Sequence, residues 1–129
     1  MPWVTAAAGE ASDTVDIRLG AGLALVASQA NLAGESAPHA APLDLLLASL
    51  GACTAITLKQ YAAARDWPLE TVEVDLNIVS WQRSKRVERI VSIQGALGQE
   101  QREALLAAAD QSPVTLLIRS GLLIQTDLA

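Results

Sequence analysis

Apolar and polar residues alternate in the first thirty residues with the period of two that is typical of a half-buried β-strand. The alternation runs over residues 14–19, pauses at the Gly-Ala-Gly turn signal of residues 20–22, and continues over residues 23–27. Residues 3–8 are a candidate edge strand ahead of it. The pattern therefore predicts a β-hairpin near the N-terminus, with an additional strand beside it.

The same alternation returns in the second half of the chain. Residues 71–78 alternate strictly between Val, Leu or Ile and polar residues, which predicts a strand with one buried side and one solvent-facing side. Residues 82–85 are the expected tip of a hairpin, and residues 87–93 are the expected returning strand. Four basic residues in this window are interpreted as a solvated surface: Arg83, Lys85, Arg86 and Arg89.

Two helices and a final strand are predicted after that hairpin. Residues 99–109 have the amphipathic period of a helix, and we expect Leu105 and Leu106 to face the core. A short helix is predicted to restart at Ser112 and extend to residue 119, with Ser112 as its N-cap. Apolar residues between 122 and 128 predict a last strand.

The longest helix in the sequence is predicted over residues 42–64. Pro42 suits the first helical position, and Asp44 places a negative charge in the first turn, where the helix dipole favours it. Residues 45–58 are apolar almost all round, so we expect this helix to be buried on most sides. That run is shorter than the roughly 20 residues needed to span a bilayer, and no membrane segment is predicted.

The order of predicted elements is strands, long helix, strand pair, two helices and a strand. Because strands cluster instead of alternating with helices, the α+β class is favoured over a doubly wound α/β fold. The length fits a single domain over residues 1–129. The strands of one chain can cover only one side of the long helix, so a second copy of the chain is the simplest candidate to cover the other side.

Composition and charge exclude several classes of protein. Apolar residues make up 51% of the chain and charged residues 18%, which predicts a packed core rather than disorder. The net charge of −5 argues against nucleic-acid binding. With one cysteine, Cys53, and one histidine, His39, an intrachain disulfide is excluded and a metal site is not expected. No signal peptide is apparent, so we expect a cytoplasmic location, and neither a metal nor an organic cofactor.

Cys53 has two interpretations. It lies within the long helix, where composition alone favours a buried thiol that acts as a small hydrophobic side chain. A nucleophilic thiolate would instead need a nearby cation or a helix N-terminus, and the sequence shows no adjacent base.

Three segments of the chain resemble motifs of the OsmC/Ohr family of organic hydroperoxide reductases. Residues 41–55, APLDLLLASLGACTA, resemble the long-helix motif of that family. Residues 67–74, WPLETVEV, look like its helix-to-strand junction. Residues 112–114, SPV, followed by residues 121–128, are similar to its second motif and last strand. The resemblance extends over nearly the whole chain and agrees with the predicted order of elements.

The resemblance implies an OsmC-like α+β fold, with antiparallel sheets packed around a long central helix in an intertwined homodimer. Its sites would lie at the subunit interface. In active members a cysteine thiolate attacks the peroxide O–O bond, releases an alcohol and becomes a sulfenic acid. A second cysteine then forms a disulfide, which a dithiol reopens. An arginine stabilises the thiolate, and a glutamate just after the motif's proline helps to hold that arginine.

The family's site residues carry over only in part. Cys53 matches the peroxide-attacking cysteine, but Ser112 stands where the second cysteine is expected, and a hydroxyl cannot form a disulfide. The glutamate position falls on Leu43; Asp44, the next residue, points about 100° away around the helix. Arg18 is the only basic residue before the long helix and is therefore the early candidate for thiolate stabilisation, with a solvent-facing strand residue as the alternative.

Two hypotheses of different classes follow. In the first, the protein is a one-cysteine thiol peroxidase in which an organic hydroperoxide oxidises Cys53 and an external thiol restores it. In the second, the protein is a non-catalytic dimeric family member that binds a small apolar ligand at the subunit interface. The intact motif around Cys53 favours the first, whereas the missing carboxylate at Leu43 and the missing thiol at Ser112 favour the second.

Overall fold

A computed structural model describes residues 4–9, 14–20, 22–28 and 40–129. Within these residues the chain forms five strands and three helices, and all of its strand pairs are antiparallel. The predicted α+β class is confirmed. The elements are, in chain order, β1 Val4–Ala8, β2 Thr14–Leu19, β3 Ala24–Ser28, α1 Pro42–Ala64, β4 Leu69–Trp81, β5 Ser84–Gly95, α2 Gln99–Ala109 and α3 Pro113–Ser120.

The contacts of the chain divide into two compact units, with the boundary between Leu46 and Leu47. The first unit contains a three-stranded sheet in the order β1-β2-β3. Val4 pairs with Leu19 and Ile17 pairs with Leu25, so the predicted hairpin and the strand beside it are both confirmed. The β3 strand ends where the Ser28 N–H donates to the Ala40 carbonyl, at 3.0 Å, just before α1 begins.

The second unit contains the β4-β5 hairpin, the larger part of α1, and helices α2 and α3. Its strands pair from Leu69 with Gly95 to Trp81 with Ser84, and only Gln82 and Arg83 lie in the turn. Gln82 has a φ of 54°, as a turn this tight requires. The predicted position of the hairpin tip is therefore confirmed.

The core of the second unit lies where α1 and α2 meet one face of the hairpin. Its buried members are Leu58, Ala62, Leu105, Ala108 and Ala109. Gly51 lets α1 come close to β4, because a Cβ atom at this position would lie 2.8 Å from Cδ1 of Leu76. The small residues of α1 and α2 therefore permit close packing in a chain that has few aromatic side chains.

The prediction that α1 is buried on most sides is wrong for a single chain. Only Leu50, Thr54, Leu58 and Ala62 are buried, and their spacing of four residues makes one stripe along the helix. Leu46 and Ile56 are exposed, and only 17% of the most apolar 18-residue window is buried. One chain has too few elements to surround a helix that is apolar almost all round.

Two predictions about later elements are also wrong. Leu106 is exposed while Leu105 is fully buried, because α2 turns a narrower apolar stripe toward the core than the two adjacent leucines suggested. Residues 121–129 form no strand, and all of them are exposed. Alternating apolar residues make a strand only when their backbone groups pair with another strand, and this segment has no such pairing here.

By length and composition alone, α1 could cross a membrane; it is the one helix of the described residues with these properties. Its buried stripe packs on protein, however, because Leu58 and Ala62 belong to the core of the second unit. That arrangement is typical of a helix within a protein core.

We predict that Gly95→Ala destabilises the fold. Gly95 has a φ of 146°, and a Cβ atom there would overlap the Pro68 carbonyl oxygen. Since that atom belongs to the backbone and cannot move aside cheaply, we expect a loss of about 1–3 kcal/mol in the free energy of unfolding. Urea denaturation at a fixed protein concentration measures it. Gly9→Ala is the control, because no atom lies within 4 Å of its Cβ position; equal effects of the two substitutions would contradict the prediction.

Candidate functional site

Cys53 lies on α1, next to the buried stripe that includes Leu50 and Thr54. Its side chain is half-buried. Among the described residues it has no hydrogen-bond partner. The thiol is therefore neither sealed within a core nor held by a cation of the described chain.

Three other residues that the resemblance singled out are exposed. Arg18 is exposed on β2, where it pairs with Thr5 and Ala24 in the sheet of the first unit. Leu43 and Asp44 are exposed in the first turn of α1. His39 lies outside the described residues.

Ser112 is fully buried at the N-cap position of α3, which confirms its predicted place but not its predicted bonding. Its side chain makes no capping hydrogen bond to the helix backbone. Instead its Oγ atom lies 2.6 Å from Oγ1 of Thr115, which in turn donates to the Ala109 carbonyl at 3.4 Å. Ser112 is therefore part of a buried polar network.

Arg89 is at the centre of that network. Its Nη1 donates to Oγ1 of Thr54 at 3.0 Å and to Oγ1 of Thr115 at 2.7 Å, and its Nη2 donates to Oδ1 of Asp110 at 3.0 Å. Arg119 donates to the same Asp110 oxygen, also at 3.0 Å. We name these residues the Arg89 cluster: Thr54, Arg89, Asp110, Ser112, Thr115 and Arg119.

The Arg89 cluster connects four elements of the second unit. Thr54 belongs to α1 and Arg89 to β5, while Asp110 ends α2 and Thr115 lies in α3. The Thr54 hydroxyl can accept from Arg89 because its own proton is donated to the Leu50 carbonyl, at 2.7 Å. The cluster therefore fixes the mutual positions of three helices and the hairpin.

The burial of Arg89 sets the energetics of the cluster. Its side chain is only 13% exposed, and a cation so buried is tolerated when it is paired with a carboxylate and hydrogen-bonded. Asp110 and Arg119 are both more than half exposed, so their ion pair contributes at most about 1 kcal/mol. The hydrogen bonds of Arg89 to the buried residues Thr54 and Thr115 therefore contribute most to the stability of the cluster.

The sequence interpretation missed Arg89 by grouping it with the solvated basic residues of the hairpin. Arg83, Lys85 and Arg86 are exposed, as expected. Arg89, however, lies on the inward side of β5. It shares that side with Val87, Val91 and Ile93, which occupy alternate positions along the strand. A charged residue in an otherwise apolar row was the signal that could have identified it.

A cavity of about 380 Å³ lies against the Arg89 cluster. Its wall is formed by residues of α1, β5, α2 and α3, and Cys53 is not among them. The lining residues are Leu50, Val87, Arg89, Val91, Leu106, Ala109, Asp110, Thr115, Ile118 and Arg119. Across the part of the chain that the structure describes, no group of three or more His, Cys, Asp or Glu side chains is placed to hold a metal ion.

Comparison with known protein families decides the family. A family model described as OsmC-like protein matches residues 34–127, which include α1 with Cys53 and the segment around Ser112. The chain belongs to the OsmC family. The resemblance seen in the sequence motifs is thus confirmed, and Cys53 lies within the matched region.

Solved structures show the same fold. An OsmC-like protein from Mycoplasma pneumoniae has a TM-score of 0.75 at 14% identity, over 92% of this chain and 87% of that one. An organic hydroperoxide resistance protein OsmC from Legionella pneumophila has a TM-score of 0.69 at 21% identity, over 92% and 89%. The organic hydroperoxide resistance protein OhrB of Bacillus subtilis has a TM-score of 0.63 at 20% identity, over 92% and 90%. No curated protein matches this OsmC family member by sequence.

We predict that Thr115→Val destabilises this OsmC family member by about 1–3 kcal/mol, because a methyl group would replace the oxygen to which Arg89 and Ser112 bond. Because valine has nearly the same shape as threonine, packing alone predicts almost no change in the free energy of unfolding. Thr5→Val, at an exposed position of β1, is the control and should change the free energy of unfolding by less than about 0.5 kcal/mol. Thermal or urea denaturation that gives the same result for both variants would show that the cluster contributes nothing to stability.

Proposed function

We propose that this protein is a homodimeric thiol peroxidase that reduces organic hydroperoxides in the cytoplasm, with Cys53 as its nucleophile. The observation that supports it best is the position of Cys53: it is the single thiol of the chain, lies within the region that matches the OsmC family, and is half-buried rather than sealed. Two structures of the same fold are named organic hydroperoxide resistance proteins.

The oxidative half of the reaction needs one thiolate. The Cys53 sulfur attacks the terminal peroxide oxygen, an S–O bond forms and the O–O bond breaks. The sulfur is oxidised to a sulfenic acid, the peroxide is reduced, and the leaving alkoxide takes up a proton to become an alcohol.

The reductive half must come from outside the chain. Because Ser112 has a hydroxyl where a resolving thiol would be needed, the sulfenic acid cannot form an intrachain disulfide. A first external thiol displaces the sulfenic oxygen as water and forms a mixed disulfide, and a second external thiol releases Cys53. Two thiols are thus oxidised to one disulfide for each peroxide reduced.

Two features support a dimer. The apolar side of α1 that includes Leu46 and Ile56 is exposed in one chain, and so is the apolar segment of residues 121–129. A second copy would remove both surfaces from water. Arg18 is proposed as the residue that stabilises the thiolate, on the strength of the family resemblance alone.

The alternative is a non-catalytic dimer that binds a small apolar ligand at the subunit interface. Two observations favour it. Within the described residues, no cation lies at hydrogen-bond distance from Cys53. The carboxylate that the family resemblance implies is also replaced by the exposed Leu43. In this alternative Cys53 stays a thiol in the presence of peroxide.

Turnover of tert-butyl hydroperoxide with dithiothreitol as reductant distinguishes the two. We expect the unmodified protein to consume peroxide and Cys53→Ser to lose all turnover, because a hydroxyl is not nucleophilic enough to replace the thiolate. Ser92→Ala, at an exposed position of β5, is the control and should retain full turnover.

The same samples can be treated with dimedone, which labels sulfenic acids, and analysed by mass spectrometry. We expect one label at Cys53 after peroxide treatment and none in Cys53→Ser. If the unmodified protein neither consumes peroxide nor acquires the label, the peroxidase proposal is wrong and the alternative is favoured.

A further inference from the structure

We propose that the cavity beside the Arg89 cluster binds a small amphiphilic carboxylate, with its head group on Arg89 and its aliphatic tail in the cavity. This goes beyond the proposed peroxidase function, because Cys53 does not line the cavity. All the lining residues belong to the second unit, so one chain forms the site without the partner's help.

The wall of the cavity is suited to an aliphatic tail. Apart from the three charged residues and Thr115, its lining consists of Leu, Val, Ile and Ala side chains, without an aromatic ring. Leu106, Ile118 and Val87 are exposed at its rim, although each is apolar. The volume of about 380 Å³ lies within the range of small-molecule sites, at its lower end. A short or medium aliphatic chain fits this description.

The guanidinium of Arg89 has hydrogen-bonding capacity left over. It carries five N–H donors, and Thr54, Thr115 and Asp110 accept three of them. The remaining two have no partner within the described residues. Because the side chain lines the cavity, a carboxylate there would supply the missing acceptors with charge-assisted hydrogen bonds.

The charged residues of the lining favour a ligand with a single negative charge. Arg89 and Arg119 share one carboxylate, Asp110, through the same oxygen. These are the only charged residues in the lining, so the wall has one positive charge in excess. A monoanion neutralises this excess, whereas a neutral apolar ligand would leave it uncompensated.

The head-group site is also preorganised. Contacts to α1, α3 and the end of α2 already hold Arg89 in place, so little side-chain entropy is lost when a ligand binds. Most arginines on a protein surface would have to be ordered by the ligand itself.

Calorimetric titration of the protein with octanoate tests the proposal. We expect saturable binding of one octanoate per chain, and weaker binding of both 1-octanol, which lacks the charge, and acetate, which lacks the tail. Arg89→Gln should weaken octanoate binding by roughly tenfold or more, and bring it close to the affinity for 1-octanol.

A second variant tests the tail site without disturbing the buried cluster. Ile118→Trp, at an exposed position of the rim, should abolish octanoate binding by filling the cavity. Arg86→Gln is the matched control, because Arg86 is an exposed arginine on the same strand outside the cavity; its octanoate affinity should be unchanged.

Three results would overturn the proposal. The first is that the unmodified protein does not bind octanoate, as expected if a second copy fills the cavity. The second is that octanoate and 1-octanol bind with equal affinity. The third is that Ile118→Trp binds octanoate as tightly as the unmodified protein. Cys53→Ser should bind octanoate normally, so failure of the peroxidase proposal and failure of this one can be told apart.

Discussion

The burial of α1 is the constraint on which the rest of the molecule depends. A helix that is apolar almost all round must be covered on every side, yet one chain buries only the stripe from Leu50 to Ala62. About 25 cal/mol is gained for each Å² of apolar surface removed from water, so the uncovered side of α1 is a strong driving force for association. In the proposed dimer, α1 would be both the core of each subunit and the surface at which the subunits meet.

The Arg89 cluster is a buried polar network that contacts the same helix, α1. It places a buried cation between α1, β5, α2 and α3, and each of its hydroxyls has a defined partner. Ser112 belongs to this network through its hydrogen bond with Thr115. A fully buried serine with a defined hydrogen-bond partner therefore supports the structure at this position. Cys53, one residue before Thr54, remains outside the network.

Most of the elements could be predicted from the sequence because their signals are local. Pro42 marked the start of α1, the alternation of residues 71–78 located β4, and the Ser112-Pro113 pair located the start of α3. The Arg89 cluster could not be predicted in the same way, because it joins residues far apart in sequence. The alternation along β5 could have shown that Arg89 faces inward with Val91 and Ile93, but it could not have shown which residues of α1, α2 and α3 bond to it there. The predicted last strand is absent because pairing with another strand, which no local pattern supplies, decides whether alternating residues form one.

The mass of the protein in solution tests the central claim most directly. Sedimentation equilibrium should give twice the 13.5 kDa of a single chain, independent of protein concentration over the micromolar range. Ile56→Asp, on the exposed apolar side of α1, should shift the equilibrium toward single chains. A soluble unmodified protein that sediments as one chain at every concentration, with α1 intact by circular dichroism, would contradict the account, because the apolar side of the helix would then need no second copy to cover it.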